Sequence, residues 1–147
     1  MRLEHLCDME LQYEKTLPGD RAFVLVRPYG GEEGRGYEEG TGTLKGERLS
    51  GEGRWVNHPR RRSDGVMQPD SYGLFRTADG ADVFLSLSGR TLFPANGRGR
   101  QLLVALFESE HEAYRWLNDT MCVVEGNIDP ARLRMTAKVY ECVHDLS

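Results

Sequence analysis

The residues best suited to chemistry are concentrated in one short segment, from position 55 to position 65. A guanidinium such as that of Arg62 can hold a ligand carboxylate through two parallel hydrogen bonds. The imidazole of His58 can exchange a proton near neutral pH, and the carboxylate of Asp64 could orient either group. The segment therefore predicts a site in which His58 is catalytic and Trp55, Arg62 and Asp64 bind the ligand.

The same segment also has a purely structural interpretation. Pro59 could stiffen a solvated turn whose arginines, at 60 to 62, pair with the glutamates between positions 32 and 39. The arginine run could instead bind phosphate, but it lacks a second basic patch with interleaved aromatic residues. The chain has 23 acidic and 19 basic residues and a net charge of −4. We therefore expect a small organic ligand as the partner, and no nucleic acid.

A second polar group lies on the strand predicted between Gly65 and Thr77. Alternation along this strand places Asp70, Tyr72 and Arg76 on one face. If that face points into a barrel, Asp70 and Arg76 form a buried charged pair and Tyr72 adds a phenolic hydrogen bond. If it points outward, all three are surface residues. Because a binding lumen needs some polar groups, the hypothesis we carry forward is the inward one, with Asp70 as a second catalytic candidate and Tyr72 and Arg76 as ligand-binding residues.

The sequence does not support metal or nucleophile chemistry. Its cysteines, Cys7, Cys122 and Cys142, are odd in number, widely spaced and set in apolar or alternating stretches, which is typical of buried free thiols. Only His5 with Cys7 comes near a metal-ligand spacing, and this spacing suits a strand better than a tetrahedral site. A Gly-x-Ser-x-Gly motif does not occur. We expect no metal and no cofactor.

The elements that must position these side chains are many brief strands joined by tight turns. The chain contains 17 glycines, and its continuous apolar stretches are short. From Leu3 to Tyr13, the odd positions are predicted to face a core. Asp79-Gly80 is a hairpin signal, and the apolar run from Leu102 to Phe107 predicts a strand buried on both faces.

One short helix interrupts the strands. Ser109 and Glu112 have the spacing of a capping box, and we expect Trp116 to anchor this helix over one barrel end. Eight or nine strands with short connections favour an antiparallel meander that closes into a barrel. The predicted fold is a mainly β, closed antiparallel barrel formed by a single domain over residues 1–147.

Composition sets the expected location. The sequence lacks an apolar run of 18 residues, and its first residues do not resemble a secretory signal. We therefore expect a cytoplasmic protein that has no membrane partner.

Motifs along nearly the whole chain resemble the domain-of-unknown-function family 3237. The N-terminal half carries Gly46-Glu47-Arg48-Leu49-Ser50-Gly51, Asp64-Gly65, Asp70, Arg76-Thr77 and Asp79-Gly80. The C-terminal half carries Phe107-Glu108, Tyr114-Arg115-Trp116-Leu117-Asn118, Gly126 and Val139-Tyr140. The resemblance implies a calycin-like antiparallel barrel with an interior pocket, in a family whose activity is largely unassigned.

These features predict a small-molecule pocket with two possible uses. In a cofactor-free isomerase, lyase or cyclase acting on an organic acid or ketone, His58 or Asp70 would take a proton beside a carbonyl while Arg62 or Arg76 held the developing negative charge. A non-catalytic binding protein would use the same pocket without a base. A third possibility is a structural protein that forms a homo-oligomer and uses the outer barrel surface instead of the pocket.

Overall fold

Eight long strands and four short ones make up most of the chain. The computed structural model describes residues 1–19, 21–26, 33–95 and 97–146. In chain order the strands are β1 (Arg2–Thr16), β2 (Val24–Leu25), β3 (Gly34–Arg35), β4 (Glu38–Lys45), β5 (Gly51–Asn57), β6 (Arg60–Arg61), β7 (Met67–Gln68), β8 (Asp70–Thr77), β9 (Asp82–Leu92), β10 (Gly99–Glu108), β11 (Met121–Asp129) and β12 (Arg134–Val143). A 3-10 helix, Glu112–Asp119, precedes β11.

The eight long strands close into a barrel. Each of β1, β4, β5, β8, β9, β10, β11 and β12 pairs antiparallel with the next long strand along the chain, and β12 pairs back with β1. The short strands β7, β6, β3 and β2 continue the sheet away from β9. The predicted closed antiparallel barrel with one short helix is confirmed. Closure gives each long strand a partner on both sides, which removes exposed edges from the barrel wall.

Apolar side chains fill most of the barrel interior. Met9, Phe75, Val83, Phe107 and Val139 are each at most 2% exposed and come from five different strands. They lie at alternate positions along their strands, as expected for side chains that share one face of a sheet. The expectation of a lumen lined by charged groups is therefore wrong for most of its length.

A bulge changes the face of β1 near its start. The register of the β1–β12 pairing shifts between His5 and Cys7. Beyond the bulge, Cys7, Met9 and Leu11 are buried as predicted. Before it, His5 is exposed and Leu3 is 52% exposed. One extra residue inverts the alternation, so the prediction that Leu3 and His5 face the core is wrong.

The 3-10 helix covers one end of the barrel. Leu117 is completely buried beneath it, whereas Trp116 is only partly buried and lies under the Arg48 guanidinium, 4.0 Å from the ring centroid. The helix is capped by His111, whose Nδ1 accepts a hydrogen bond from the Ala113 backbone N–H at 3.2 Å. The predicted helix is present, but its cap is His111 and its deepest anchor is Leu117.

The outer surface carries more apolar side chains than the sequence pattern predicted. On β10, Leu103, Ala105 and Phe107 are buried, while Leu102 and Leu106 point outward and are exposed. The prediction that this strand is buried on both faces is wrong, because in a single-layer barrel one face of each strand is the outer surface.

Within the part of the chain that the structure describes, neither a membrane-spanning helix nor a cluster of metal ligands is present. Among residues 1–19, 21–26, 33–95 and 97–146, no helix is both long enough and apolar enough to cross a membrane. Over the same residues, three or more His, Cys, Asp or Glu side chains are nowhere grouped so that they could hold a metal ion.

Candidate functional site at the open end of the barrel

The polar face predicted on β8 lies on the outside of the barrel. Tyr72 is 60% exposed, and Asp70 and Arg76 are also exposed. The Arg76 guanidinium pairs with Asp82 across the β8–β9 ladder at 3.1 Å. The inward residues of β8 are Ser71, Phe75 and Thr77, so the expectation that Asp70, Tyr72 and Arg76 line the lumen is wrong.

His58, Arg62 and Asp64 lie in the connection between β5 and β8. The His58 ring is exposed and packs against Tyr37, with ring centroids 5.4 Å apart. Arg62 Nε donates to Asp64 Oδ1 at 3.1 Å, and this pairing is the main cause that lowers the pKa of Asp64. The structure does not bring these three side chains together with Asp70 or Arg76 in a cavity.

The arginine run mainly makes ion pairs. Arg60 contacts Glu33 at 2.9 Å, and Arg62 contacts Asp64. Pro59 is buried beside them. The Arg60–Glu33 contact matches the structural interpretation, in which the arginines pair with the glutamates between positions 32 and 39, whereas Arg62 pairs within its own segment.

Trp55 is the predicted ligand-binding residue that does face inward. It is 5% exposed, and its Nε1 donates to the Thr41 carbonyl at 2.7 Å. Its ring meets Tyr13 edge to face, with centroids 4.8 Å apart. Trp55 therefore supports Tyr13 from the core side.

A cavity of about 140 Å³ lies at the barrel end opposite the helix. Inward-facing side chains from the ends of the long strands surround it, together with residues from the connections. Its lining residues are Tyr13, Thr16, Glu38, Asn57, Pro59, Met67, Pro69, Thr91, Phe93, Gln101, Ile128, Pro130 and Leu133. The polar groups come from β1, β4, β5, β9 and β10, so this is where the strands bring polar side chains together inside the barrel.

Glu38 supplies the carboxyl group of this cavity. It lies in register with Gly40, Gly42 and Leu44, the inward positions of β4. Asn57 stands opposite it on β5 and donates from Nδ2 to Glu38 Oε2 at 2.9 Å. Burial raises the pKa of Glu38, and the Asn57 hydrogen bond partly opposes that rise.

Tyr13 places a phenol close to this carboxyl group. Burial raises the pKa of the Tyr13 hydroxyl, and the negative charge of Glu38 raises it further. Among the described residues, that hydroxyl has no hydrogen-bond partner. A neutral phenol is therefore available to donate a hydrogen bond to a bound molecule.

Gln101 carries an unpaired polar atom. Its side chain is 94% buried, its Nε2 donates to Thr91 Oγ1 at 2.9 Å, and its Oε1 has no partner among the described residues. The Thr91 hydroxyl can donate as well as accept, so reversing the amide would leave the nitrogen unpaired instead. A buried polar group without a partner is costly, and such groups are rare in native proteins. The unpaired Oε1 is closed off from solvent and lies beside Gly126 of the neighbouring strand, so the rest of Gln101 lines the cavity.

Larger grooves on the outer surface make a weaker site. The groove of about 660 Å³ over β1, β4 and β5 is lined by charged residues, three of which already have partners. Arg134 contacts Glu10 at 3.1 Å, and Arg54 contacts Glu14 at 2.9 Å. Exposed ion pairs of this kind are typical of a solvated surface.

Sequence reasoning missed Glu38, Tyr13 as a site residue, Asn57 and Gln101. A usable signal was present for two of them. Gln101 is in phase with Leu103 and Phe107 on β10, and Asn57 is in phase with Trp55 on β5. A polar residue on the buried face of an alternating strand indicates either a buried hydrogen bond or a site.

Comparison with known proteins identifies the fold. No protein-family model matches the chain, and no curated protein sequence matches it. Several solved structures match the chain in fold. A protein with unknown function from Clostridium acetobutylicum superposes with a TM-score of 0.78 at 17% identity, covering 97% of this chain and 100% of that one. A β-barrel-like protein from Acinetobacter baumannii gives 0.75 at 19% identity, covering 95% and 94%. An enzyme from Penicillium herquei gives 0.66 at 19% identity, with the same coverage. The chain therefore shares its barrel fold with proteins of unknown function and with one enzyme.

Proposed function

We propose that the cavity at the open end of the barrel binds a small, uncharged carbonyl compound and that Glu38 moves a proton on it. The observation that carries this proposal is a largely buried carboxyl group of raised pKa, Glu38, that shares one cavity with the unpartnered phenol of Tyr13. Perturbed carboxyl groups in apolar cavities are characteristic of general acid–base sites.

The size of the cavity limits the ligand. Its volume is about 140 Å³. Benzene occupies an engineered cavity of about 150 Å³ in another protein. A single six-membered ring with one or two oxygen substituents is therefore the appropriate scale, and a larger substrate would have to extend past the exposed rim residue Leu133.

The charge of the lining favours an uncharged ligand. Glu38 is the one ionisable carboxyl group among the described lining residues, and neither lysine nor arginine is among them. A ligand carboxylate would repel the Glu38 carboxylate in a medium of low dielectric. This changes the expected substrate from an organic acid or ketone to the ketone or a related neutral carbonyl.

The chemistry that these groups can perform is a proton shift. The Glu38 carboxylate removes a proton from the carbon beside the carbonyl, and the C–H electron pair moves to the carbonyl oxygen as an enolate. The Tyr13 hydroxyl donates a hydrogen bond to this oxygen as its negative charge develops. In a simple ketone Glu38 returns the proton to the same carbon, so the step shows only as hydrogen exchange. Where a C=C bond is conjugated with the enolate, Glu38 returns the proton to the far carbon of that system, the carbonyl reforms, and the product is an isomer with a shifted double bond. Asn57 holds the carboxyl group in place through its Oε2.

Three further observations support the proposed activity, family and compartment, one each. The structural neighbour from Penicillium herquei is an enzyme, and it covers 95% of this chain. The motifs from Gly46 to Tyr140 support membership of the domain-of-unknown-function family 3237, which we also propose. The free thiols, two of them buried, fit a reducing compartment such as the cytoplasm.

The test is deuterium exchange into cyclohexanone in D2O, followed by proton NMR. Wild-type protein should accelerate loss of the signal from the protons beside the carbonyl, and Glu38→Gln should reduce that acceleration by about 100-fold or more. Asp70→Asn and His58→Ala are the matched controls, since both side chains are exposed, and each should exchange at the wild-type rate.

The possible outcomes separate catalysis from binding. Exchange by Glu38→Gln at the wild-type rate would contradict the role of Glu38. If the ketone raises the melting temperature of wild-type protein but no exchange occurs, the protein is the non-catalytic binder of the alternative hypothesis. If Asp70→Asn loses the exchange activity and Glu38→Gln keeps it, the active site is on the outer face of β8 and not in the cavity.

A further inference from the structure

One side of the outer barrel wall carries a group of exposed apolar side chains. We define the outer apolar patch as Val56, Tyr72, Leu74, Phe84, Leu106 and Met121, which point outward from β5, β8, β9, β10 and β11. Tyr72 and Phe84 are 60% and 59% exposed, and Met121 is 51% exposed. Five adjacent strands span about 20 Å, so these side chains form one contiguous area and are not scattered single residues.

The opposite wall has a different character. Outward residues of β1, β4 and β12 form ion pairs, including Glu10 with Arg134 at 3.1 Å and Asp8 with Lys138 at 3.7 Å. Charge on one side and exposed apolar side chains on the other distinguish the patch from the scattered surface leucines of an ordinary protein. The patch therefore has the composition of an interaction surface.

The cross-strand pairing arranges the patch, apart from Met121 on β11, in two rows. One row runs Arg54, Leu74, Phe84, Glu108 across β5, β8, β9 and β10. The next row runs Val56, Tyr72, Ser86, Leu106 across the same strands. Each row has its midpoint between β8 and β9.

We propose that this patch is the interface of a homodimer with a two-fold axis parallel to the strands between β8 and β9. A two-fold axis at this place sets each residue of a row against the residue at the mirror position in the second copy. Arg54 then meets Glu108 of the second copy, and Leu74 meets Phe84. In the other row Tyr72 faces the small Ser86, and Val56 faces Leu106.

The rows are therefore complementary to themselves in charge and in size. The first row has the cation Arg54 at one end and the anion Glu108 at the other. In the second row the largest side chain, Tyr72, lies opposite the smallest, Ser86, of the second copy. Arg54 Nη2 already contacts Glu14 at 2.9 Å, which leaves its other nitrogens for a second carboxylate. Within the described chain Glu108 is exposed and makes no ion pair, so it is available to the second copy.

Sedimentation velocity over a concentration series tests this proposal. A patch of this size lies at the small end of dimer interfaces, so the dimer should dissociate on dilution. Arg54→Glu alone and Glu108→Arg alone should each be monomeric, because each variant places like charges opposite each other twice. An equimolar mixture of the two variants should form a heterodimer, since both contacts are then between opposite charges, and the double variant should dimerise by itself.

Phe84→Asp tests the apolar part, and Lys45→Glu is the control on the charged wall. Phe84→Asp should be monomeric with an unchanged circular dichroism spectrum, because the side chain is outside the core, and Lys45→Glu should dimerise like wild type. A wild-type chain that stays monomeric at several hundred micromolar, or a Phe84→Asp variant that still dimerises, would overturn the proposal. A monomer that instead binds vesicles of phosphatidylglycerol would assign the patch to a lipid surface and would overturn it equally. The proposal does not depend on the function of the cavity.

Discussion

Glu38 and Asn57 lie directly opposite each other on β4 and β5, and the Asn57 amide donates a 2.9 Å hydrogen bond to Glu38 Oε2. The other end of the same amide, Asn57 Oδ1, accepts the backbone N–H of Asp70 at 2.9 Å. Because the Asp70 N–H can only donate, Oδ1 must face it, and Nδ2 must face Glu38. Asp70 thus contributes to the site through its backbone, although its carboxylate is on the outer surface.

Replacing Glu38 by glutamine should remove a pH dependence of stability. The folded-state pKa of Glu38 is raised above its ordinary value of 4.5, so the folded protein holds this proton more tightly than the unfolded chain. The contribution of Glu38 to stability is therefore complete below pH 4.5 and is lost as pH rises through the folded-state pKa. Compared with Glu38→Gln, wild type should lose stability over that window, and at pH 8 the variant should melt about 2 °C higher or more.

Thermal denaturation of both proteins from pH 4 to pH 8 measures this difference. Asn57→Leu provides the second variant, since removing its hydrogen bond should raise the pKa of Glu38 further and extend the window to higher pH. A constant difference in melting temperature between wild type and Glu38→Gln at every pH would contradict the prediction.

Replacing the Gln101–Thr91 pair by apolar residues should trade binding for stability. The double variant Gln101→Leu/Thr91→Val removes the buried unpaired amide atom and both members of its hydrogen bond. Replacing both partners by apolar groups of similar shape is near neutral, and removing an unpaired buried atom adds stability of about 1 kcal/mol. We expect urea denaturation to show a stability equal to or above that of wild type.

Calorimetric titration with cyclohexanone measures the predicted loss of binding. The double variant should bind it at least about tenfold more weakly, because the cavity lining loses two of its polar residues, Thr91 and Gln101. A variant that loses about 2 kcal/mol of stability, or that binds as wild type does, would show that Gln101 has a structural role only.

Alanine at Gly40 should be far more destabilising than alanine at Gly65. A Cβ at Gly40 would lie 1.8 Å from the carbonyl oxygen of Gln12 on the neighbouring strand, so the barrel wall would have to shift. We expect a loss of more than about 3 kcal/mol. Gly65 has φ +85° and open space around it, so alanine there is strained only by its backbone and should cost about 1 to 2 kcal/mol. Guanidinium denaturation of the two variants measures both losses, and equal losses would contradict the argument.

The two buried cysteines should be inert in the folded protein. Burial raises the pKa of Cys7 to about 12, and burial also raises the pKa of Cys122 to about 12. At pH 8 only about one thiol in ten thousand would then be the reactive thiolate. Intact mass after iodoacetamide treatment should show at most one modification, at the half-buried Cys142, and three after unfolding in guanidinium. Rapid triple labelling of folded protein would contradict this prediction.

The sequence by itself determined the class of fold. Brief alternating strands, the Asp79-Gly80 turn between β8 and β9, and a short helix before β11 were all readable from local pattern. They were readable because turn conformation and period-two alternation depend on residues that are close together in the chain.

The orientation of individual strands was decided only by the tertiary structure. On β8 both faces carry apolar and polar residues, with Tyr72 and Leu74 on one and Ser71 and Phe75 on the other. Alternation shows that two faces exist but does not choose between them when they are similar in composition. The bulge between His5 and Cys7 likewise depends on pairing with β12.

The candidate site also required the closed barrel. Tyr13, Glu38, Asn57, Thr91 and Gln101 come from five strands and are spread over most of the chain, and they meet only because the strands end at the same rim. The eleven-residue segment around His58 resembled an active site in the sequence because its polar groups are adjacent along the chain. In the structure this segment is a connection between strands, and its side chains form separate ion pairs or face the solvent. Burial in a shared cavity is a property of closure, and no local pattern encodes it.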